Sequence, residues 1–308
     1  MLISIFRISK ERICLLLIFT LLLTYTAIGQ KKYYYDNENY LNYNKIGQGD
    51  REIIFLHGFG ASMNTWDVII EQFTNSDNTL YLFDLKGFGL SSKPKDDKYS
   101  IINQSEIILK FIKENKLKNI ILIGQSYGGI IALSVNVMLI EASKEIDIIT
   151  IAIDCPIVDR NKTPFFIKIL RTPVINRISF FLPDKFRSKY TLGRLFFNKN
   201  KITKPMIDKY TSTIRQKNAP YTLIKSAKQI IPEDFSGSFK TLQIIENSVL
   251  LICGKNDPLF PNAVYNKLHR SLVQSQLKPI SNSGHLSHEE NPDIVVRLIR
   301  EFIAKNND

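Results

Sequence analysis

An α/β fold built on a mostly parallel sheet is what this sequence predicts, and three observations predict it. Apolar runs of strand length recur at Glu52–Leu56, Thr79–Phe83, Asn119–Ile123, Ile148–Ile153 and Val249–Ile252. Stretches of helical period lie among them, at Trp66–Phe73, Ile101–Asn115 and Val264–Leu272. The strand-like runs are rich in Ile, Leu and Val without polar alternation, as expected where helices cover both faces of a sheet. Strands that alternate with helices run parallel.

Taken in order, the chain opens with a segment unlike the rest. Arg7, Lys10 and Arg12 precede an apolar run from Ile13 to Ile28, and small residues stand at Ala27 and Gly29. This pattern predicts a secretory signal peptide cut after Gly29, and hence export to a periplasm or the outside. The alternative is retention of residues 13–29 as a membrane anchor, the run falling just short of a usual bilayer span. From Lys31 to Ile46, aromatic and polar residues alternate around Asn37-Glu38-Asn39, which predicts a β-hairpin. The strand and helix rhythm then divides into a first core segment, residues 30–155, and a second, residues 241–308.

Residues 156–240 interrupt that rhythm. They hold no strand-like run, and helical stretches are punctuated by Pro164, Pro173, Pro183, Pro205, Pro220 and Pro232. The expectation is a helical insertion between two strands. It carries 18 Lys and Arg against 5 Asp and Glu, so its net charge of +13 exceeds the +12 of the whole chain. The basicity of this protein is therefore a property of the insertion.

With 44% hydrophobic and 23% charged residues, the composition excludes disordered, collagen-like and disulfide-scaffold classes. No nucleic-acid-binding motif accompanies the positive charge. Cys155 and Cys253 close apolar runs and are expected to be buried free thiols, while Cys14 falls in the leader. No metal-ligand pattern occurs.

Gly124-Gln125-Ser126-Tyr127-Gly128-Gly129 follows the strand Asn119–Ile123 and precedes the helical run Ile130–Glu141. Gly-x-Ser-x-Gly between strand and helix is a nucleophile elbow, a strained turn that lifts the Ser hydroxyl above the sheet edge. Such a serine needs a base and an orienting acid, following it in the order acid, then His. Of four histidines, His285 in Ser283-Gly284-His285 lies in a loop before the terminal helix and is the expected base, with His288 the second choice. His269 is expected on a solvated helix face. Asp257, directly after the strand Val249–Ile252, is the expected acid, against the alternative of a turn Asp before Pro258. His57-Gly58-Phe59-Gly60 follows the first parallel strand, where the N–H of Phe59 with that of Tyr127 would form an oxyanion hole. His57 itself is expected to bond backbone, and Asp84 to Ser91 to form a fold-stabilising turn.

These motifs together resemble the α/β-hydrolase superfamily, in its capped Ser-Asp-His branch of esterases and lipases, over roughly residues 50–304. Trp66, Glu290 and Pro292 also look like family counterparts. The resemblance implies an eight-stranded, mostly parallel sheet with helices on both faces, and a cap inserted after the sixth strand at residues 156–240. It implies an acyl-enzyme on Ser126, no cofactor, and a small-molecule ester as substrate, with Trp66 a candidate substrate contact. Ser at position 126 disfavours the dehalogenase and epoxide hydrolase branches, which use Asp. Gln125 departs from the His that many lipases carry there. Carbon–carbon hydrolase, acyltransferase and perhydrolase chemistry share the triad, and a non-catalytic ligand-binding protein shares the fold.

In the insertion, Phe165-Phe166, Phe180-Phe181 and Phe196-Phe197 are interspersed with Lys168, Arg171, Arg177, Lys185, Arg187, Arg194 and Lys199. The pattern suits either an anionic membrane surface and an acyl chain, or Phe packed on the core beneath a solvated cationic face.

Overall fold

The computed structural model describes residues 30–142, 146–157, 163–231 and 241–306. The leader, with its expected cleavage or anchoring, lies outside the described residues. Among those described, no helix is long and apolar enough to cross a membrane.

Eight strands form one sheet: β1 Lys31–Tyr34, β2 Tyr40–Gly47, β3 Arg51–Leu56, β4 Asn78–Phe83, β5 Asn119–Gln125, β6 Asp147–Ile153, β7 Val249–Gly254 and β8 Ser275–Ile280. Their spatial order is β1-β2-β4-β3-β5-β6-β7-β8. The β1–β2 hairpin joins antiparallel to β4, and every other pairing is parallel. The hairpin turn is made by Asp36, whose carboxylate accepts the N–H groups of Glu38 and Asn39 at 2.9 and 2.7 Å.

Ile54 and Leu56 face one core with Ile120 and Leu122, whereas Ile53 and Phe55 face another with Ile121 and Ile123. Both faces are dry, so period-two geometry persists without polar alternation. On the first face pack α1 (Ile101–Glu114) and α2 (Tyr127–Ala142). Ser100 caps α1, its hydroxyl accepting the Asn103 N–H.

Among the described residues, five α-helices lie between β6 and β7: α3 Phe165–Arg171, α4 Ile175–Phe181, α5 Asp184–Leu195, α6 Lys204–Ile214 and α7 Ala219–Gln229. Pro164 and Pro183 immediately precede α3 and α5, and Pro205 and Pro220 sit in the first turns of α6 and α7. Proline is tolerated there because the first helical N–H groups lack intrahelical acceptors. After β7 come α8 (Asn262–Ser271), the short α9 (Ser287–Glu290) and α10 (Pro292–Lys305), whose Val295, Ile299 and Phe302 cover the second face.

Two expected elements differ. The helix expected over Trp66–Phe73 is a pair of 3-10 turns, Met63–Val68 and Ile70–Phe73, broken at Ile69 with φ −127°. The apolar spacing of three that suggested an α-helix is met equally by the tighter 3-10 turn. The helix expected from Ile130 begins three residues earlier, at Tyr127. The whole reversal is made by Ser126 alone, at φ +51°.

Candidate active site

The elbow is built by close packing on small residues. A Cβ on Gly128 would stand 2.0 Å from the Leu56 carbonyl oxygen, and one on Gly124 2.2 Å from the Gly128 carbonyl oxygen. The glycines let α2 start directly against β3 and β5, and Ser126, in the left-handed region, is held there by its N–H bond to Ile153.

Three distant segments meet at this serine. Ser126 Oγ lies 2.8 Å from His285 Nε2, and His285 Nδ1 lies 2.6 Å from Asp257 Oδ2. The imidazole and the acid's side chain are both buried. Asp257 Oδ1 accepts the Leu259 N–H at 2.7 Å and the Phe260 N–H at 3.2 Å, and Oδ2 also accepts the Tyr265 hydroxyl. Burial works to raise the Asp257 pKa, but His285 and these donors outweigh it and hold the carboxyl below its ordinary value. Burial likewise works to depress His285, and the Asp257 carboxylate, helped by Asp154, overrides it so that the imidazole stays above its ordinary value.

The remaining histidines are held elsewhere. His288 is fully buried, its ring 4.8 Å from that of Trp66. Thr65 donates its hydroxyl proton to Glu289, so His288 Nε2–H, 2.8 Å away, must donate to Thr65. Its Nδ1 has no partner, and burial pushes its pKa down to about 3. The second-choice base is therefore a neutral core residue. His57 is structural as expected, donating from Nδ1 to the Gly58 carbonyl at 2.7 Å and accepting the Leu85 N–H on Nε2 at 3.0 Å. His269 is half-buried and bonds Ser275 Oγ at 2.7 Å, which corrects the solvated-face expectation: the link from α8 to β8 is short enough to fold back onto the ring. Asp84 accepts the Met63 and Leu90 N–H groups and the Asn42 amide, each at 2.8–2.9 Å, and so pins the turn.

Trp66 is a correction. It is fully buried in the core against Phe55, 5.3 Å between rings, and is not among the residues lining the two cavities at Ser126. The 3-10 turn rotates it inward, so it supports the loop after β3 and does not touch a substrate.

Three contributors had no structural role assigned from the sequence. Gln125 Nε2–H donates to the His285 carbonyl at 2.8 Å, fixing the His285 backbone from beside Ser126. Asp154, fully buried at the end of β6 with φ +47°, accepts the Gly254 N–H and both the N–H and hydroxyl of Ser287, all at 2.8 Å. Burial first, then the charge of Asp257, push its carboxyl up to about 7 against His285 and these donors. Glu290 accepts the Gly284 N–H at 2.7 Å and the Phe197 and Asn198 N–H groups at 3.2 and 2.6 Å. A carboxylate at the very end of a strand was the one available signal for Asp154.

Two cavities converge on Ser126, His285, Phe59 and Phe166. The larger, about 460 Å³, runs past Ile101, Val137 and Ile231; the smaller, about 250 Å³, lies under α4 and α5. In the smaller, Ser188 Oγ and Arg187 Nε are buried without partners. Phe166 and Phe180 line these cavities while Phe165 and Phe181 are exposed; Phe196 is buried and Phe197 exposed. Each Phe pair thus has one ring in and one out. Cys155 and Cys253 are buried free thiols, raised above the ordinary thiol range by burial. Among the described residues no three His, Cys, Asp or Glu side chains cluster as metal ligands.

Comparison with known proteins agrees with this architecture. A family model for the alpha/beta hydrolase fold matches residues 52–136. The chain is 27% identical over 259 residues to an AB hydrolase superfamily protein of Bacillus subtilis, covering 83% of this chain and 92% of that one. It is 26% identical over 277 residues to a pimeloyl-(acyl-carrier protein) methyl ester esterase of Wigglesworthia glossinidia brevipalpis, covering 85% and 97%. The structure superposes on an esterase from Exiguobacterium antarcticum with a TM-score of 0.75 at 18% identity, covering 90% of this chain and 100% of that one.

Proposed function

This chain is a member of the α/β-hydrolase superfamily, and on that premise we propose that it is a serine hydrolase cleaving carboxylic esters through an acyl-enzyme on Ser126. The observation that carries the reading is the continuous hydrogen-bonded line Ser126 Oγ, His285, Asp257 at 2.8 and 2.6 Å. His285 Nε2 takes the Ser126 proton as Oγ attacks the ester carbonyl, and Asp257 holds the tautomer with Nδ1–H and stabilises the imidazolium. The developing oxyanion is received by the N–H groups of Phe59 and Tyr127. Tyr127 opens α2, so its N–H has no intrahelical acceptor, and the helix N-terminus adds favourable potential. His285 then returns the proton to the leaving alcohol, and a water activated by the same nitrogen releases the acid.

The two cavities support an ester with apolar groups on both sides of the carbonyl, one arm in each. A fluorophosphonate probe tests the reading: labelling of the wild type and its loss in Ser126→Ala are expected, together with turnover of medium-chain esters. An unlabelled wild type would favour a ligand-binding protein instead.

A further inference from the structure

Of the sixteen large apolar side chains exposed among the described residues, nine lie between Phe165 and Phe197. Ile178 and Phe181 on α4 and Phe186 and Tyr190 on α5 fall in helical register, and Val174 and Leu182 flank α4. The amphipathic logic of α4 is inverted. It buries Asn176, whose amide donates to the Leu170 carbonyl at 3.1 Å, and leaves Ile178 61% and Phe181 88% exposed. A face like this is unfavourable in water and marks an interaction surface.

Charge selects the partner. Residues 165–197 carry seven Lys and Arg against one acid, Asp184, and Asp184 is already paired with Arg187 and Arg215. Lys168, Arg177, Lys189 and Arg194 are exposed beside the apolar stripes. Apolar residues flanked by exposed cations fit the interface of a bilayer bearing anionic headgroups, where each cation near the surface contributes about 1 kcal/mol. Leu182, Phe186 and Tyr190 are exposed and also line the smaller cavity, so the stripe borders a route from this surface toward Ser126.

We propose that the α4–α5 face of the cap docks on an anionic lipid surface and admits an amphiphilic ester from it into the smaller cavity. The docking stands on the exposed face alone; the delivery of a substrate rests on the esterase reading above.

Sedimentation of the full chain with phosphatidylcholine vesicles, with and without phosphatidylserine, tests it. Ile178→Asp/Phe181→Asp, which touches neither cavity, should lower binding to anionic vesicles by about tenfold or more. Arg177→Gln/Lys189→Gln should do so less, and added salt should weaken the wild type. Hydrolysis of a water-soluble short-chain ester should be unchanged in both variants, which also reports that they are folded. Binding that is equal in wild type and Asp variant, or equal on neutral and anionic vesicles, overturns the docking, as does self-association of the wild type that the Asp substitutions abolish while vesicles leave the protein in the supernatant. Selective vesicle binding by a wild type that hydrolyses no ester would leave the surface standing and sink the esterase reading.

Discussion

The backbone N–H of His285 donates to the carbonyl of Leu195 at 2.8 Å, so the proposed base is held by the last residue of a cap helix. A Cβ on Gly284 would stand 2.3 Å from that same carbonyl oxygen, so the approach requires glycine at 284. Glu290 closes the clasp from below by accepting from Gly284, Phe197 and Asn198. The cap is thus joined to the very loop that carries His285.

Removing that clasp should cost both stability and rate. Glu290→Ala strands three N–H donors, the buried one of Gly284 and the part-buried ones of Phe197 and Asn198, and we expect a loss of about 1–3 kcal/mol, the cost of one unsatisfied buried group. Urea unfolding would measure it. A change within about 0.5 kcal/mol, the usual span for an uninvolved surface site, would show that cap and loop hold without Glu290.

Asp257 should govern the pH profile as well as the rate. His285 must be neutral to accept the Ser126 proton, and its pKa lies above the ordinary value, so kcat/KM should fall as pH drops through that raised value. Asp257→Asn should lower kcat by about 10⁴-fold and move this acid limb to lower pH, because burial then acts on the imidazole with less opposition. An unshifted limb would assign the acid's role to another carboxylate.

Asp154 is expected to position the catalytic loop without touching the substrate. Asp154→Asn turns an amide N–H₂ toward donors that now meet a carboxylate, and should lower kcat about tenfold at a cost of roughly 2 kcal/mol in stability. It also removes a negative charge near His285, so the acid limb should move to lower pH. Rate loss without any displacement of the limb would reduce Asp154 to a purely structural tie.

His288 should make the fold acid-sensitive. Its folded pKa is depressed to about 3, so its stabilisation is complete above the unfolded imidazole value and is lost as pH falls from there toward 3. Between about pH 6 and 4 this group alone should steepen unfolding free energy by about 1.4 kcal/mol per pH unit. His285 acts in the opposite sense: its raised value stabilises the fold at low pH, and that increment is lost as pH rises through it. Comparing wild type with His288→Gln by denaturant unfolding across this range isolates the effect, and parallel curves would contradict it.

Local pattern carried the framework. Unbroken Ile, Leu and Val runs specify strands covered on both faces, and the order of Ser126, Asp257 and His285 follows from the strands they terminate, because parallel strands deliver their C-terminal ends to one edge. Chain order and strand ends are one-dimensional information. Which ring of Phe180-Phe181 turns outward, whether Trp66 meets substrate or core, and that Gln125, Asp154 and Leu195 hold the base are not. Neighbouring helical residues differ in direction by about a third of a turn, so inside and outside depend on how each helix is rolled against the sheet. The bonds from Gln125 to His285 and from Asp154 to Ser287 join segments more than a hundred residues apart, and no local preference encodes them. Packing alone brings those groups within reach.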